Sequence, residues 1–474
     1  MTTAEFRAYA HELVDWMADY LEQIEQRPVR APVTPREIIK RLQAHPPLEG
    51  EPFDTIFSDF KKIILPGMTH WQHPSFFAYF PANTSGPSIL AEMLSATMGA
   101  QCMSWITSPA ATELEEQVMV WLREMIGLPS TFTGVIQDTA STATLCSILT
   151  AREQRTGYRI NAEGFPAESP FTVYCSVETH SSIEKAVKIA GIGTKGLRKL
   201  PVDSQYALIP SELERAIADD LAQGMTPLCV VATIGTTGST AVDPLRSIGE
   251  ICARHHVWLH VDAAFAGTAF LLPEMRWMLE GIERADTLVF NPHKWMFTNF
   301  DCSAYFVKDV SALVRTFEIL PEYLKTSEQS KVNNYRDWGI QLGRRFRALK
   351  LWFVIRNFGV RGLQERVRSH LALAQSLARA IENTPDFELM APVPLATVCF
   401  RFHPPGTSDS TELERLNARL MEELNRSGRL FITHTKLNGQ FTLRFVAAQT
   451  NVAQRHIDSA WELIRATART LNSP

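Results

Sequence analysis

The sequence predicts an α/β protein that has a mainly parallel sheet, an N-terminal helical arm and a small C-terminal α/β domain. Between residues 134 and 308, short β-rich runs alternate with helical stretches, a pattern typical of a parallel sheet covered by helices on both faces. The chain has 474 residues, which is more than one compact core usually contains. We place the arm at residues 1–85, the large domain at 86–360 and the small domain at 361–474.

The arm begins with a predicted amphipathic helix over residues 2–26. Thr2-Thr3-Ala4-Glu5 fits a capping box, and apolar residues from Phe6 to Ile24 recur at helical spacing. Prolines between Arg27 and Pro35 end this helix. A lone helical arm cannot bury its apolar stripe on itself, so we expect it to dock on a second subunit, as a swapped element of a homodimer.

The segment after the arm, residues 67–81, is rich in aromatic residues and proline. Two interpretations fit this composition: a loop that fills the core, or the wall of a pocket for a flat aromatic ligand.

The remaining elements follow from periodicity. Strands are predicted at 134–136, 171–175, 228–234, 257–261, 287–290, 304–307, 396–402 and 441–446. Helices are predicted at 142–152, 181–190, 244–255, 343–357, 362–382, 411–426 and 452–470, and a polar loop at 318–334.

Reactive side chains follow several of these strands. They are Asp138-Thr139-Ala140-Ser141, His180, Thr236-Thr237, Asp262, and Asn291 with His293-Lys294. Ligands of open parallel sheets bind beyond the carboxyl ends of the strands. A lysine amine forms a Schiff base with an aldehyde cofactor, and a buried carboxylate keeps a ring nitrogen protonated. Lys294 and Asp262, which each follow an apolar run, therefore predict a covalently bound aldehyde cofactor.

Each of these residues also has a structural interpretation. Thr139 to Ser141 form either an anion site at a helix N-terminus or a plain helix cap. Asp262 is either a cofactor partner or a member of a buried ion pair. Lys294 and Asn291 also fit a turn, and His180 fits an ordinary loop histidine. The shared placement of all five at the ends of strands favours one common site.

Composition excludes several classes of function. The net charge of −4 and the pI of about 6.4 give no indication of binding to nucleic acid or an anionic membrane. No apolar run approaches the ~18 residues of a membrane span, and the N-terminus lacks a signal-peptide core. Seven cysteines without a CxxC pattern indicate reduced thiols in a cytoplasmic protein. The histidines near Cys252 do not match a zinc motif, so we expect no metal.

Several motifs together resemble those of pyridoxal-phosphate-dependent group II decarboxylases. They are Asn291-Pro292-His293-Lys294-Trp295, Trp258–Ala264, His180-Ser181-Ser182 and Val231–Thr237. Within that family, Phe77–Pro81 and Leu342–Arg347 are similar to the aromatic-L-amino-acid decarboxylase subgroup. The resemblance covers essentially the whole chain. It implies a homodimer of fold type I, the PLP-dependent transferase fold of aspartate aminotransferase.

The resemblance also implies roles for individual residues. Lys294 binds pyridoxal 5'-phosphate covalently, Asp262 pairs with its ring nitrogen, and His180 and Ala264 lie on opposite ring faces. The residues implied around the phosphate are Thr139, Ala140, Ser141, Asn291 and His293, with Thr237 near the ring substituents. Tyr323 matches the family's mobile-loop tyrosine, which protonates the substrate carbon after CO2 leaves.

The implied reaction is decarboxylation of an aromatic L-amino acid to an arylalkylamine. The implied substrate-binding residues are Trp71, Tyr79, Phe80, Pro81, Ala82, Met103 and Gly343. Gly343 marks space for an indole-like ring, so tryptophan or 5-hydroxytryptophan joins dopa, tyrosine and phenylalanine as candidates. The presence of both His180 and Tyr323 predicts release of an amine rather than an aldehyde.

Three other functions remain open. A relative that acts on glutamate or cysteine sulfinate needs a basic group in the pocket, and transamination produces a keto acid. A non-catalytic binding protein would have no use for an intact Lys294 and Asp262.

Overall fold

The computed structural model describes residues 1–165, 170–319 and 331–472. The chain divides into two compact units. The larger unit contains residues 82–374 and 391–397, and the smaller unit contains residues 1–81, 375–390 and those from 398 onward. The smaller unit thus joins the N-terminal segment to most of the C-terminal segment. The arm and domain boundaries at residues 85 and 360 remain predictions.

The larger unit is built on a seven-stranded sheet. Its strands are β1 Thr133–Gln137, β2 Phe171–Ser176, β3 Leu197–Leu200, β4 Thr226–Thr233, β5 Trp258–Asp262, β6 Thr287–Phe290 and β7 Ser303–Val307. Their order is β1-β7-β6-β5-β4-β2-β3. Strand β7 runs antiparallel to both neighbours, whereas the other pairings are parallel. The predicted mainly parallel sheet is therefore confirmed.

Helices precede, connect and follow these strands. They are α4 Gly86–Met98, α5 Pro109–Ile126, α6 Ala140–Thr156, α7 Arg159–Glu163, α8 Ser182–Ile189, α9 Pro210–Ala222, α10 Leu245–His255, α11 Pro292–Trp295, α12 Val310–Phe317 and α13 Arg347–Glu382. Helix α13 merges the two helices predicted at 343–357 and 362–382. They meet at Gly359, whose φ of 64° is not helical and kinks the element.

The core of the larger unit explains why its central strands lack an alternating pattern. Every residue of β2, β5 and β6 is buried, as expected for parallel strands packed on both faces. One apolar cluster contains Val173, Val231 and residues of α6 and α8. A second contains Val135, Val289 and Tyr305, with Ala140 of α6 and Leu313 of α12.

The smaller unit contains a four-stranded sheet in the order β10-β11-β9-β8. Its elements are α1 Thr3–Glu22, α2 Glu37–Arg41, α3 Phe53–Asp59, β8 Phe387–Leu389, β9 Thr397–Phe402, α14 Ser410–Arg426, β10 Thr433–Leu437, β11 Gln440–Val446 and α15 Gln454–Asn472. The predicted capping box of Thr2 and Glu5 is confirmed. Within the described chain, α1 has no buried residue. No helix of the described residues is long and apolar enough to cross a membrane.

Candidate functional site

Five segments leave the sheet at one edge, because β1, β2, β4, β5 and β6 all run in the same direction. They begin at Asp138, Val177, Ile234, Ala263 and Asn291. Every predicted catalytic or cofactor-binding residue within the described chain lies at the end of one of these strands or in one of these segments. Tyr323, the remaining catalytic prediction, lies outside the described residues.

The central pair is Asp262 and Lys294. Asp262 ends β5 and is only 5% exposed, and its Oδ1 accepts the Ala264 backbone N–H at 3.0 Å. Lys294 is half-buried in the short helix α11. His180, at the end of the segment after β2, lies within electrostatic reach of both. Partial burial lowers the pKa of His180, Asp262 acts to raise it, and Lys294 acts to lower it.

Backbone hydrogen bonds hold the Asp262 and Lys294 segments together. The Ala263 N–H donates to the Val289 carbonyl, and the Asn291 N–H donates to the Ala264 carbonyl, both at 2.9 Å. The side chain of Asn291 is buried, and its Oδ1 accepts from the Ser303 hydroxyl at 2.6 Å. This bond leaves the amide N–H groups of Asn291 as donors for an anion.

His293 is a neutral group in this site. Its Nδ1 accepts the Cys302 backbone N–H at 2.9 Å, which leaves the proton on Nε2. Burial also lowers the pKa of His293 to about 3. His293 therefore offers an N–H donor but no positive charge.

Helix α6 directs its N-terminus to the same edge. Thr139 is the N-cap in an extended conformation, and its Oγ1 accepts the Thr142 N–H at 3.4 Å. The first helical backbone bond runs from the Ala143 N–H to the Thr139 carbonyl at 3.1 Å. The N–H groups of Ala140 and Ser141 precede that ladder, so they are oriented for an anion. The interpretation of Thr139 as a helix cap is confirmed. The anion site at the same helix N-terminus remains a prediction.

Thr237 is exposed in a tight loop after β4. The loop needs glycine at Gly235, where φ is 82° and a Cβ would lie 2.8 Å from the Ala266 Cβ. Buried Asp243 closes the loop: its Oδ2 accepts the Thr233 N–H at 2.7 Å, and its Oδ1 accepts the Leu208 N–H at 2.8 Å. This carboxylate therefore fixes the end of β4 beside Asp262.

Replacing Asp243 with asparagine is expected to lower the free energy of unfolding by about 1–3 kcal/mol. An amide has one acceptor, so either the Thr233 or the Leu208 N–H would face an NH2 group. Burial raises the pKa of Asp243 from 3.8 to about 6. The raised pKa favours folding at low pH, and that contribution is lost as the pH rises through about 6. Urea unfolding at about pH 8, where the carboxylate is charged, measures the hydrogen-bond effect alone.

Asp203→Asn is the matched control. Asp203 also accepts two backbone N–H groups, from Gln205 at 2.8 Å and Ala207 at 3.0 Å, but both bonds end on one oxygen. It is also exposed. The amide oxygen of asparagine can keep both bonds, so a change within about 0.5 kcal/mol is expected. Equal losses in the two variants would contradict the role of Asp243.

The predicted substrate-binding residues fall in both compact units. In the smaller unit, Trp71 stacks on Tyr79 with ring centroids 5.9 Å apart, Phe80 is half-buried, and Pro81 is buried. In the larger unit, Ala82 and Met103 are half-buried and Gly343 is exposed. Their assignment to a substrate pocket remains a prediction.

Sequence reasoning missed several residues that orient the site: Ser182, Ser303, Asp243 and Gln341. Gln341 donates to Asp138 Oδ2 at 2.6 Å. Ser303 begins the antiparallel strand β7, and nothing in its local sequence points to Asn291. Ser182 stands in the His180-Ser181-Ser182 motif, and its position there was an available signal.

Comparisons with known proteins agree with this geometry. The pyridoxal-dependent decarboxylase conserved domain matches residues 35–403. The chain belongs to the pyridoxal-dependent decarboxylase family. It is 43% identical to tryptophan decarboxylase TDC1 of Camptotheca acuminata, over 98% of this chain and 94% of that protein. It is 41% identical to phenylacetaldehyde synthase of Arabidopsis thaliana, over 99% of this chain and 97% of that protein.

A solved structure of this decarboxylase family confirms fold type I. The crystal structure of Oryza sativa TDC with PLP and tryptamine superposes with a TM-score of 0.97 at 36% identity, covering 100% of this chain and 99% of that one. The donors at the sheet edge fit the family's cofactor. The N–H groups at the start of α6 and the Asn291 amide suit a phosphate, and buried Asp262 suits a protonated ring nitrogen. The primary amine of Lys294 suits an aldehyde.

Proposed function

We propose that the chain decarboxylates an aromatic L-amino acid to the corresponding arylalkylamine and CO2, using pyridoxal 5'-phosphate. One observation carries this proposal: Asp262 and Lys294 lie together at the carboxyl edge of the sheet in a chain 43% identical to a tryptophan decarboxylase. The alternative of an acidic substrate is less well supported, because the two relatives described above are named for an aromatic substrate and an aromatic product.

The cofactor, when bound, supplies the electron sink that accepts the electron pair of the broken carbon–carboxylate bond. Asp262 holds a proton at the ring nitrogen, since a buried carboxylate is stable only beside a positive partner. Lys294 would hold the cofactor through its primary amine, a group that can react reversibly with an aldehyde. Thr139, Ala140, Ser141, Asn291 and His293 anchor the phosphate through N–H and O–H donors.

The remaining sequence-predicted roles belong to this proposal. His180 and Ala264 cover the two ring faces, Thr237 lies near the ring substituents, and Tyr323 returns a proton to the substrate carbon. The resemblance assigns the aromatic side chain of the substrate to Trp71, Tyr79, Phe80, Pro81, Ala82 and Met103. A Cβ at Gly343 would lie 3.2 Å from Gln101 Nε2. A larger residue at this position would therefore press on Gln101, and the assignment of Gly343 to an indole-sized ring follows from the family resemblance.

Three measurements test the reaction. Purified protein should absorb visible light, and borohydride reduction followed by peptide mapping should label Lys294. CO2 release should then be followed with tryptophan, 5-hydroxytryptophan, dopa, tyrosine, phenylalanine, glutamate and cysteine sulfinate. Turnover of aromatic substrates alone is expected. An unlabelled Lys294 would contradict its assignment as the covalent cofactor site. Turnover of glutamate alone would contradict the assignment of an aromatic substrate. Keto-acid products would indicate transamination.

A second candidate reaction is oxidative deamination to an aldehyde, since a phenylacetaldehyde synthase is 41% identical. The combination of His180 and Tyr323 favours amine release. An assay of amine, aldehyde and hydrogen peroxide on one sample separates the two reactions. Peroxide in stoichiometric yield with CO2 would refute the decarboxylase assignment.

A cytoplasmic homodimer completes the proposal. Helix α1 exposes Phe6 and Val14, and α4 exposes Leu90, Leu94 and Met98, apolar side chains that suit a subunit interface. All seven cysteines are buried thiols outside any disulfide, which suits a reducing compartment. Light scattering should give twice the chain mass of 53.3 kDa, and a monomer at micromolar concentration would contradict the dimer.

A further inference from the structure

Ser182 holds the imidazole ring of His180. Ser182 is the buried first residue of α8. Its backbone N–H lies 3.2 Å from His180 Nδ1, and its Oγ lies 2.8 Å from the same atom. A backbone N–H can only donate, so Nδ1 must be an unprotonated acceptor. The Ser182 hydroxyl then donates to Nδ1 as well, because that nitrogen has no proton to give.

We propose that Ser182 is a positioning residue that fixes His180 as the neutral imidazole with its proton on Nε2. Protonating Nδ1 would set its N–H against the Ser182 backbone N–H, so the imidazolium form loses that bond, and the Ser182 hydroxyl has to turn from donor to acceptor. The two hydrogen bonds are features of the folded chain and do not depend on what the protein catalyses. The expected effect on turnover rests on the proposed function.

The surroundings of the ring lower the pKa of His180 on balance: desolvation, Lys294 and Lys185 favour the neutral ring, and Asp262 favours the imidazolium. The bond from the Ser182 backbone N–H adds to the neutral side. A neutral ring keeps an Nε2–H donor and adds no second positive charge within electrostatic reach of the Lys294 amine.

Nitrogen NMR of the 15N-histidine-labelled holoenzyme tests the assignment, with the His180 signals identified by their loss in His180→Gln. Wild-type Nδ1 should remain unprotonated at about pH 6, below the ordinary histidine pKa of about 6.5. Ser182→Ala removes the hydroxyl but keeps the backbone N–H, so Nδ1 should stay unprotonated in the neutral ring while the His180 titration midpoint shifts by about 0.5–1 pH unit. The acidic limb of the kcat/KM profile should move by the same amount.

Two variants separate this role from a merely structural one. Ser182→Thr keeps the hydroxyl and should restore the wild-type midpoint. Ser181→Ala removes an exposed neighbouring hydroxyl that makes no capping bond to α8, and it should change neither readout. A wild-type proton on Nδ1, or an unshifted midpoint in Ser182→Ala, would overturn the proposal. If the wild-type enzyme decarboxylates no amino acid, the proposed function fails, and the NMR result still decides the role of Ser182.

Discussion

Replacing Asp262 with alanine is expected to lower kcat by on the order of 10²-fold or more, the scale of removing one electrostatic stabiliser from an active site. Asp262 is the carboxylate that closes buried strand β5 beside Lys294. Without it, the ring nitrogen loses the partner that keeps it protonated, and the electron sink is weakened. Steady-state kinetics should be read with the bound cofactor quantified by its absorbance, so that loss of cofactor is not mistaken for loss of chemistry.

Asp286→Asn is the control for this substitution. Asp286 precedes β6 at the opposite end of the sheet, and its Oδ2 accepts the Leu259 N–H at 2.7 Å. An amide oxygen can keep that bond, so kcat should stay close to the wild-type value. Near-normal turnover in Asp262→Ala, at equal cofactor content, would contradict the role given to Asp262.

Replacing Glu115 with alanine is expected to lower the free energy of unfolding by about 3–5 kcal/mol. Glu115 of α5 and Arg344 form an ion pair at 2.6 Å with both side chains almost fully buried. Glu115 also accepts the Ile136 N–H at 2.9 Å, and Arg344 donates to the Ile136 carbonyl at 2.8 Å. The variant leaves a buried guanidinium without a counter-charge beside the end of β1. Denaturant unfolding monitored by circular dichroism measures the loss.

Two comparisons make that result specific to the buried pair. Glu113→Ala removes an exposed carboxylate from the same helix, one that accepts the Trp105 ring N–H at 2.9 Å. It should cost within about 0.5 kcal/mol. The double replacement of Glu115 and Arg344 by methionine should destabilise less than Glu115→Ala, since it leaves no unpaired charge. A loss below about 1 kcal/mol in Glu115→Ala would show that the pair is not needed.

The sequence was sufficient to predict the site edge because its signals are local. An apolar run followed at once by Asp262, or by Asn291 and Lys294, predicts a buried parallel strand and a reactive group at its end. The same reasoning predicted the α6 N-terminus from Thr139 and the capping box of α1. These elements needed only spacing and residue type.

Pairings across the chain had no such signal. Glu115 and Arg344 are 229 positions apart, and the buried face of α5 was not recognised as helical. Ser303 reaches Asn291 because β7 runs antiparallel to β6, which brings the start of β7 beside the end of β6. The sequence of β7 does not reveal its direction, so this hydrogen bond could not be predicted. For the substrate wall, the side chains divide between two compact units, and composition alone does not fix how they are arranged.

The neutral state of His293 has a consequence for how firmly the enzyme retains its cofactor. The residues assigned to the phosphate are hydroxyl, amide, backbone N–H and uncharged imidazole groups, and none of them carries a formal positive charge. Mobile ions screen attraction between exposed charges, whereas buried contacts at hydrogen-bond distance are screened much less. Together with the proposed covalent bond to Lys294, this anchor should let the enzyme keep its cofactor during dialysis against concentrated salt.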